Sequence, residues 1–421
     1  MKLSTLNIAK TLRPKVVIVG AGSGGMSTAA RLARKGHYDI TVVDRAETHY
    51  YQPLWTLVGG GQFNLSDSGK PISSLLPKSA THVKENVASF QPADNKITLE
   101  NGSTLNYDAL VLATGLELNY AGVEGAKEAL KEDLKVCSNY SPAYVLKTFP
   151  AIKSFKGGKA VFTFPPMPIK CPGAPQKIMW IANDIWKNDS SVGKYELEFN
   201  TFLPVIFGVP KYAEALMKLV ESEKVNLNRQ HTLVEVDHLS NLAKFKKADG
   251  EMYETNYDFL HITPNQRPLK LFRDDESQLT DAAGWVSVNE KSLQHTVYEN
   301  IFGVGDCTSI QTSKTAAAIT SQHAILCENL EKFFNKEKFS EDYDGYTSCP
   351  LVTSQNTCIM AEFGFGGEVM ESTFLNQGKN RYSMYLTKKA AIPFIYWQLM
   401  MRGLWAGPKP LKPLTNPFNW N

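Results

Sequence analysis

The run Lys15-Val16-Val17-Ile18-Val19 passes directly into Gly20-Ala21-Gly22-Ser23-Gly24-Gly25, and no other stretch of this sequence restricts the fold so tightly. A β-branched run predicts a strand, Met26 to Lys35 a helix, and Asp39 to Val43 a second strand closing at Asp44. G-x-G-x-x-G alone is a weak pattern. Here it follows a strand and opens a helix, and the next strand ends in an acid at the interval that ribose recognition requires. Gly20 permits the tight turn, Gly22 lets the backbone approach a pyrophosphate, and Gly25 lets helix and sheet pack closely. The helix N-terminus then faces the phosphates with its free N–H groups. An α/β fold with a dinucleotide-binding βαβ unit is expected.

A chain of 421 residues has room for two or three domains. Residues 107–115 (YDALVLATG) predict a strand ending at Thr114 and Gly115, and residues 301–306 (IFGVGD) another ending at Asp306. The following TSKTAAAITSQHAILCENLEKFF predicts a long helix with Lys314 and Thr315 at its start. Residues 158–164 (GKAVFTF) predict the first strand of a second Rossmann-like domain, followed by a helix from Lys177 to Asn188. Between them, where a nicotinamide-binding domain carries its glycine fingerprint, the chain has PPMPIKCPGAPQ. Prolines donate no N–H, so the phosphate cradle is missing even if the fold persists. The expected division is 14–120 with 290–340 for the first domain, 121–289 for the second, and 341–421 for a C-terminal region. Residues 265–280 read as a polar surface connection into a GWVSV strand at 284–288.

The net charge of +3 hides a division. No acid follows Glu371, and the last fifty residues carry Lys379, Arg381, Lys388, Lys389, Arg402, Lys409 and Lys412, which leaves the preceding body at −4. Within this tail an apolar run from Ala390 to Met401 is interrupted only by Gln398. Such a run is too short to span a bilayer, which takes about 20 residues. Bracketed by Lys388, Lys389 and Arg402, and carrying Tyr396 and Trp397, it predicts a segment lying in a membrane interface; a docking helix is the alternative. The first fifteen residues are basic, hydroxylated and free of acids, which fits a short organellar presequence or a frayed terminus.

Six cysteines (137, 171, 307, 327, 349 and 358) are too few for a disulfide scaffold and form neither CxxC nor a zinc-type cluster, so no metal site is expected. Cys171 stands in the turn that lost its glycines, beside Lys170 and close to a helix N-terminus, a setting that favours the thiolate. Cys349 lies in DGYTSCP, which reads as a polar loop. Cys137 and Cys307 read as packing residues, and Cys327 and Cys358 have no motif around them.

The fingerprint, the Ala-Thr-Gly strand and Gly305-Asp306 together resemble the two-dinucleotide-domain flavoproteins related to glutathione reductase. K-C-P-G-A-P-Q at 170–176 and Y-D-G-Y-T-S-C-P-L-V at 343–352 are similar to the sulfide:quinone oxidoreductases, in the branch found in mitochondria and some bacteria. Residues 50–57, 138–141 and 312–318 agree with it. The resemblance implies FAD, held by Gly20, Gly22, Ser23, Gly24, Gly25, Asp44, Gln52, Val87, Thr114, Gly115, Asp306, Lys314 and Thr315, with Asp306 on the ribityl chain. It implies that Cys171 and Cys349 form a redox-active pair holding sulfane sulfur beside the flavin. Hydrogen sulfide attacks that pair, a persulfide remains on the Cys349 side, its sulfur passes to glutathione or sulfite, and ubiquinone takes the electrons. Lys170 or Lys314 is a candidate to attract sulfide. Phe394, Tyr396 and Trp397, with aromatics near 346 and 363–365, are candidates to line a quinone channel. A peripheral place on the mitochondrial inner membrane is expected, with a bacterial cytoplasmic membrane as the alternative. Nucleic acid is not an expected partner, and a homo-oligomer is left open. Two further readings stay open: a type II NADH:quinone oxidoreductase, and a flavoprotein redox sensor without turnover.

Overall fold

The computed structural model describes residues 13–416, so most of the stretch read as a presequence lies outside the described residues. Two five-stranded parallel sheets carry the architecture. The first runs in the order Ile301–Gly303, Ala109–Leu112, Lys15–Val19, Asp39–Val43, Ala80–Val83. Its central strands read as unbroken Val, Ile and Leu because both faces are buried, as parallel sheets require. The fingerprint helix, Ser23–Ala33, packs against the long helix Ala316–Asn335. That long helix starts where Thr315 accepts a hydrogen bond from the Ala318 N–H at 3.0 Å, an N-cap that fixes its first turn.

The second sheet runs Val136–Cys137, Phe259–His261, Gly158–Phe164, Tyr195–Thr201, Asn226–Arg229. Behind it the helix Ala174–Lys187 buries Trp186 against Phe155 and Phe259, with ring centroids 4.3 and 5.3 Å away. The chain passes between the sheets along two antiparallel strands, Glu117–Asn119 and Asn265–Arg267. Glu117 pins this crossing by accepting from both Arg267 and Arg273, at 2.5 and 2.9 Å.

Two expectations need correction here. The 265–280 connection is a strand and then a short helix, Lys270–Arg273, whose Phe272 is buried and stacks on Phe90 at 5.6 Å. The GWVSV segment forms isolated bridges instead of a strand: its partners Thr280, His295 and Thr308 come from separate segments, so no ladder can build.

The C-terminal region contributes a hairpin, Thr347–Val352 with Cys358–Phe363, and a helical run from Tyr382 to Arg402. Cys349 therefore sits in a strand and not in a loop. The helical run relaxes into π turns at Thr387–Ala391 and Ile395–Leu399, on either side of Pro393, whose missing N–H breaks the regular ladder.

The fingerprint glycines differ in what they do. A Cβ on Gly25 would lie 1.8 Å from the Gly20 carbonyl oxygen, backbone against backbone, whereas Gly22 faces open space. Gly25→Ala should therefore lower stability by about 1–3 kcal/mol. Gly22→Ala should leave it within about 0.5 kcal/mol. Urea midpoints of the two variants check this, and equal losses would contradict the packing argument.

Candidate active site

One cavity of about 710 Å³ runs from the fingerprint to the C-terminal helix. Gly20, at φ +105°, donates its N–H to the Val43 carbonyl at 2.8 Å, bending the chain so that the Ser23–Ala33 helix opens onto the cavity. No side chain caps that helix, which leaves first-turn N–H groups for an anion. Asp44 anchors the turn by accepting from the N–H groups of Ala21 and Ala46, at 2.7 and 2.8 Å. Thr114, Gly115 and Asp306 bring the ends of the two neighbouring strands to the same wall. Lys314 donates to the carbonyls of Asp306 and Thr308, at 2.8 and 2.9 Å, and lies 4.2 Å above the Trp285 ring. Burial raises the Asp306 carboxyl pKa, and Lys314 opposes that rise.

Of the residues expected to hold a cofactor, Gly20, Gly22, Ser23, Gly24, Asp44, Gln52, Thr114, Gly115, Asp306, Lys314 and Thr315 line this cavity. Gly25 lies behind them as a packing contact. Val87 stands apart: it opens a strand of a separate antiparallel meander and is buried in the core. The cavity fits an elongated dinucleotide. Gly22 and Gly115 leave open space at the ends of adjacent strands, and the Asn139 side-chain amide, buried on the wall, has both polar atoms without a protein partner.

Cys171 lines the cavity, and behind it Cys349, 178 positions away, approaches to 3.4 Å, sulfur to sulfur. Cys171 occupies the left-handed region at φ +52°, and its N–H donates to the Lys314 carbonyl at 2.8 Å. The glycine-poor turn of the second sheet is thus tied to the start of the long helix of the first. Cys349 comes from the hairpin and is 1% exposed. Gly173 lets them meet, because a Cβ there would lie 2.4 Å from the Cys349 sulfur.

Neither lysine favoured from sequence touches the sulfurs. Lys170 turns to Gln52 at 2.6 Å, and Lys314 is held as described. The sequence reading missed Lys177, which places its ammonium 3.4 Å from the Cys171 sulfur and is 4% exposed. Its signal was available: it falls in the first turn of the helix that follows Cys171. The hydrogen bond from Cys349, and then Lys177, hold the Cys171 thiol well below its ordinary pKa, while that contact and burial push Cys349 well above. Burial opposes charge on Lys177, but Cys171 and Cys349 outweigh it and keep the ammonium protonated. A second buried lysine, Lys388 of the C-terminal helix, donates to the Pro53 carbonyl at 2.7 Å, and burial brings its pKa down to about 8. The remaining cysteines are buried; desolvation raises Cys137, Cys327 and Cys358 to about 12 and lifts Cys307 as well.

The C-terminal helix closes the cavity through a chain of hydrogen bonds. Burial lowers the pKa of His49 and keeps it neutral. Its Nδ1 lies 2.8 Å from the Ala21 carbonyl, which can only accept, so Nδ1 carries the proton and Nε2 accepts from the Tyr396 hydroxyl at 2.6 Å. Tyr396 in turn accepts from Ser23 at 2.7 Å, and its ring packs 4.3 Å from Tyr51. Of the aromatics considered for a channel, Tyr396 and Tyr346 line the cavity, whereas Phe394 is 61% exposed and Phe363 is buried in the core.

Residues 14–147 match the pyridine nucleotide-disulphide oxidoreductase family. Over 403 residues the chain is 40% identical to the mitochondrial sulfide:quinone oxidoreductase of Mus musculus, covering 95% of this chain and 89% of that protein. Over 408 residues it is 43% identical to the mitochondrial sulfide:quinone oxidoreductase of Dictyostelium discoideum, covering 96% and 89%. The chain belongs to the sulfide:quinone oxidoreductase family. Its cofactor is FAD, which the cavity described above fits. The crystal structure of the sulfide:quinone oxidoreductase from Aquifex aeolicus has the same fold, with a TM-score of 0.81 at 18% identity over 97% of this chain and 96% of that one.

The low pKa of Cys171 is measurable. In reduced protein, alkylation of Cys171 by iodoacetamide should stay fast at neutral pH and fall only on further acidification. Lys177→Met should raise the apparent pKa of that profile by about one unit, a tenfold loss of thiolate below it. A profile unmoved by the substitution would show that Lys177 does not tune the thiol.

Proposed function

We propose that this protein oxidises hydrogen sulfide at Cys171 and Cys349 and passes the electrons to ubiquinone. The observation that carries this reading is the 3.4 Å approach of the two sulfurs, beside a buried ammonium, with Cys171 on the wall of a dinucleotide cavity. A gap of 3.4 Å exceeds a disulfide bond of about 2.05 Å and leaves a span for one bridging sulfur. Lys177 and Lys388 give the site positive charge to draw in hydrosulfide. With one sulfur bridging the pair, hydrosulfide attacks the Cys349 sulfur, the bond from that sulfur to the bridging sulfur breaks, and Cys171 leaves carrying the bridging sulfur as a persulfide anion. The setting that depresses the Cys171 pKa makes that side the better leaving group of the pair. The persulfide left on Cys349 then gives its outer sulfur to a nucleophile, glutathione or sulfite. Bound FAD supplies the two-electron link between sulfur and quinone.

The tail supports a place on the mitochondrial inner membrane. Among the described residues no helix is long and apolar enough to cross a membrane. Leu386, Phe394, Leu404 and Leu414 are 43%, 61%, 50% and 82% exposed, near Arg402, Lys409 and Lys412, a combination suited to an anionic interface. Tyr396 and Lys388 meanwhile dock the same helix on the body, so the interfacial and docking readings both describe part of it.

Anaerobic titration with sulfide should bleach the flavin of the native protein, and Cys171→Ser or Cys349→Ser should slow sulfide-dependent quinone reduction by about 100-fold or more. Full activity in both variants would sink the assignment. NADH should leave the flavin oxidised, since the 165–176 turn lacks the cradle. Reversing Arg402, Lys409 and Lys412 to Glu should weaken co-sedimentation with anionic vesicles at least about tenfold, from about 1 kcal/mol per charge.

A further inference from the structure

The hairpin has two working faces. Side chains alternate along a strand, so Cys349 and its cross-strand partner Ala361 point one way, while Ser348, Pro350, Met360 and Glu362 point the other and line the cavity. Glu362, paired directly across from Ser348, is 5% exposed and takes no part in the sulfur chemistry. A carboxylate in such a place needs hydrogen bonds, and it has them from neutral donors. Tyr346 donates its hydroxyl to Oε1 at 2.5 Å; the Ser372 N–H and hydroxyl donate to Oε2, both at 2.7 Å; and the Gln377 side-chain amide donates to Oε2 at 2.8 Å.

The network continues outward. The Gln377 N–H donates to Glu371 at 3.3 Å, and Glu371 is 1% exposed. Lys211, with 30% of its side chain exposed, meets Glu371 at 2.8 Å. A line of polar and titratable groups therefore runs from solvent at Lys211, through Glu371, Gln377 and Glu362, to the Tyr346 hydroxyl on the cavity wall. The titratable groups facing Glu362 are Tyr346, Tyr212 (3.0 Å from Glu371) and the Glu371–Lys211 pair, with Asp344 beyond Tyr346. The cavity wall on this side combines apolar Met360, Leu375, Met384 and Ile395 with the polar Ser372, Thr373 and Gln377.

We propose that Glu362, acting with Tyr346, delivers the proton that quinone reduction draws from solvent. This rests on the reading of quinone as the electron acceptor. The balance requires such a group. Hydrosulfide gives up two electrons and one proton as its sulfur is transferred; a quinone takes two electrons and two protons to become the quinol. One proton per turnover must come from outside the pocket. Glu362 holds that proton at the wall, passes it to the nascent quinol oxygen directly or through the Tyr346 hydroxyl, and is reloaded from solvent.

The test separates proton delivery from electron delivery. Holoenzyme reduced anaerobically with sulfide is mixed with decylubiquinone or with ferricyanide, which takes electrons without protons. Glu362→Gln, which keeps the side-chain volume, should slow reoxidation by the quinone about 100-fold, flatten its pH profile and change its solvent isotope effect. Reoxidation by ferricyanide and flavin bleaching by sulfide should stay native. Tyr346→Phe, which leaves Ser372 and Gln377 on the carboxylate, should show the same selectivity with a smaller loss. Native quinone rates in Glu362→Gln, or equal slowing with both acceptors, would overturn the relay. Failure of native reduced enzyme to be reoxidised by the quinone at all would instead bring down the functional reading, and the relay with it.

Discussion

The N–H of Cys171 donates to the carbonyl of Lys314, and this hydrogen bond joins the two halves of the molecule where the chemistry is placed. One partner belongs to the turn after the first strand of the second sheet, the other to the segment leading into the long helix of the first domain. The turn cannot cradle a phosphate because prolines occupy it. Freed from that duty, it takes a left-handed bend at Cys171 and delivers a thiol where a nicotinamide domain would deliver a cofactor. Lys177 and Gly173 complete the arrangement, one by charge and one by having no side chain.

The hairpin then divides the labour. Because it is only two strands wide, its faces open on different surroundings: the sulfur face is sealed against the second domain, and the other looks into the pocket beside the C-terminal helix. The proposed sulfur and acceptor chemistry can thus lie a few residues apart in the chain, on opposite faces of one hairpin. The C-terminal helix serves both, since Lys388 lies close to the sulfurs and Tyr396 reaches the fingerprint.

How much of this was legible in the sequence depended on whether a feature was local. The first sheet and its glycines were readable because strand, turn, helix and acid follow one another within a few dozen residues and each has its own physical signature. Cys171 was readable through a substitution of type: prolines stand where glycines should. Cys349 reads as a loop residue because Asp344, Gly345 and Pro350 are poor strand formers, and only pairing with Cys358–Phe363 makes that segment a strand. Glu362 and the His49–Tyr396 contact carry no local mark, since each owes its role to a neighbour brought in by folding. The 284–288 segment failed for the converse reason: its composition suits a strand, but no neighbouring strand runs alongside it.

Ser23 and Tyr396, hydrogen-bonded to each other, lie 373 positions apart, near opposite ends of the polypeptide. On a ribosome the phosphate-binding turn is made well before the helix that covers it. Until that helix emerges, the cavity has no lid on that side. Closure over the fingerprint therefore waits for Tyr396, however early the rest of that wall is made.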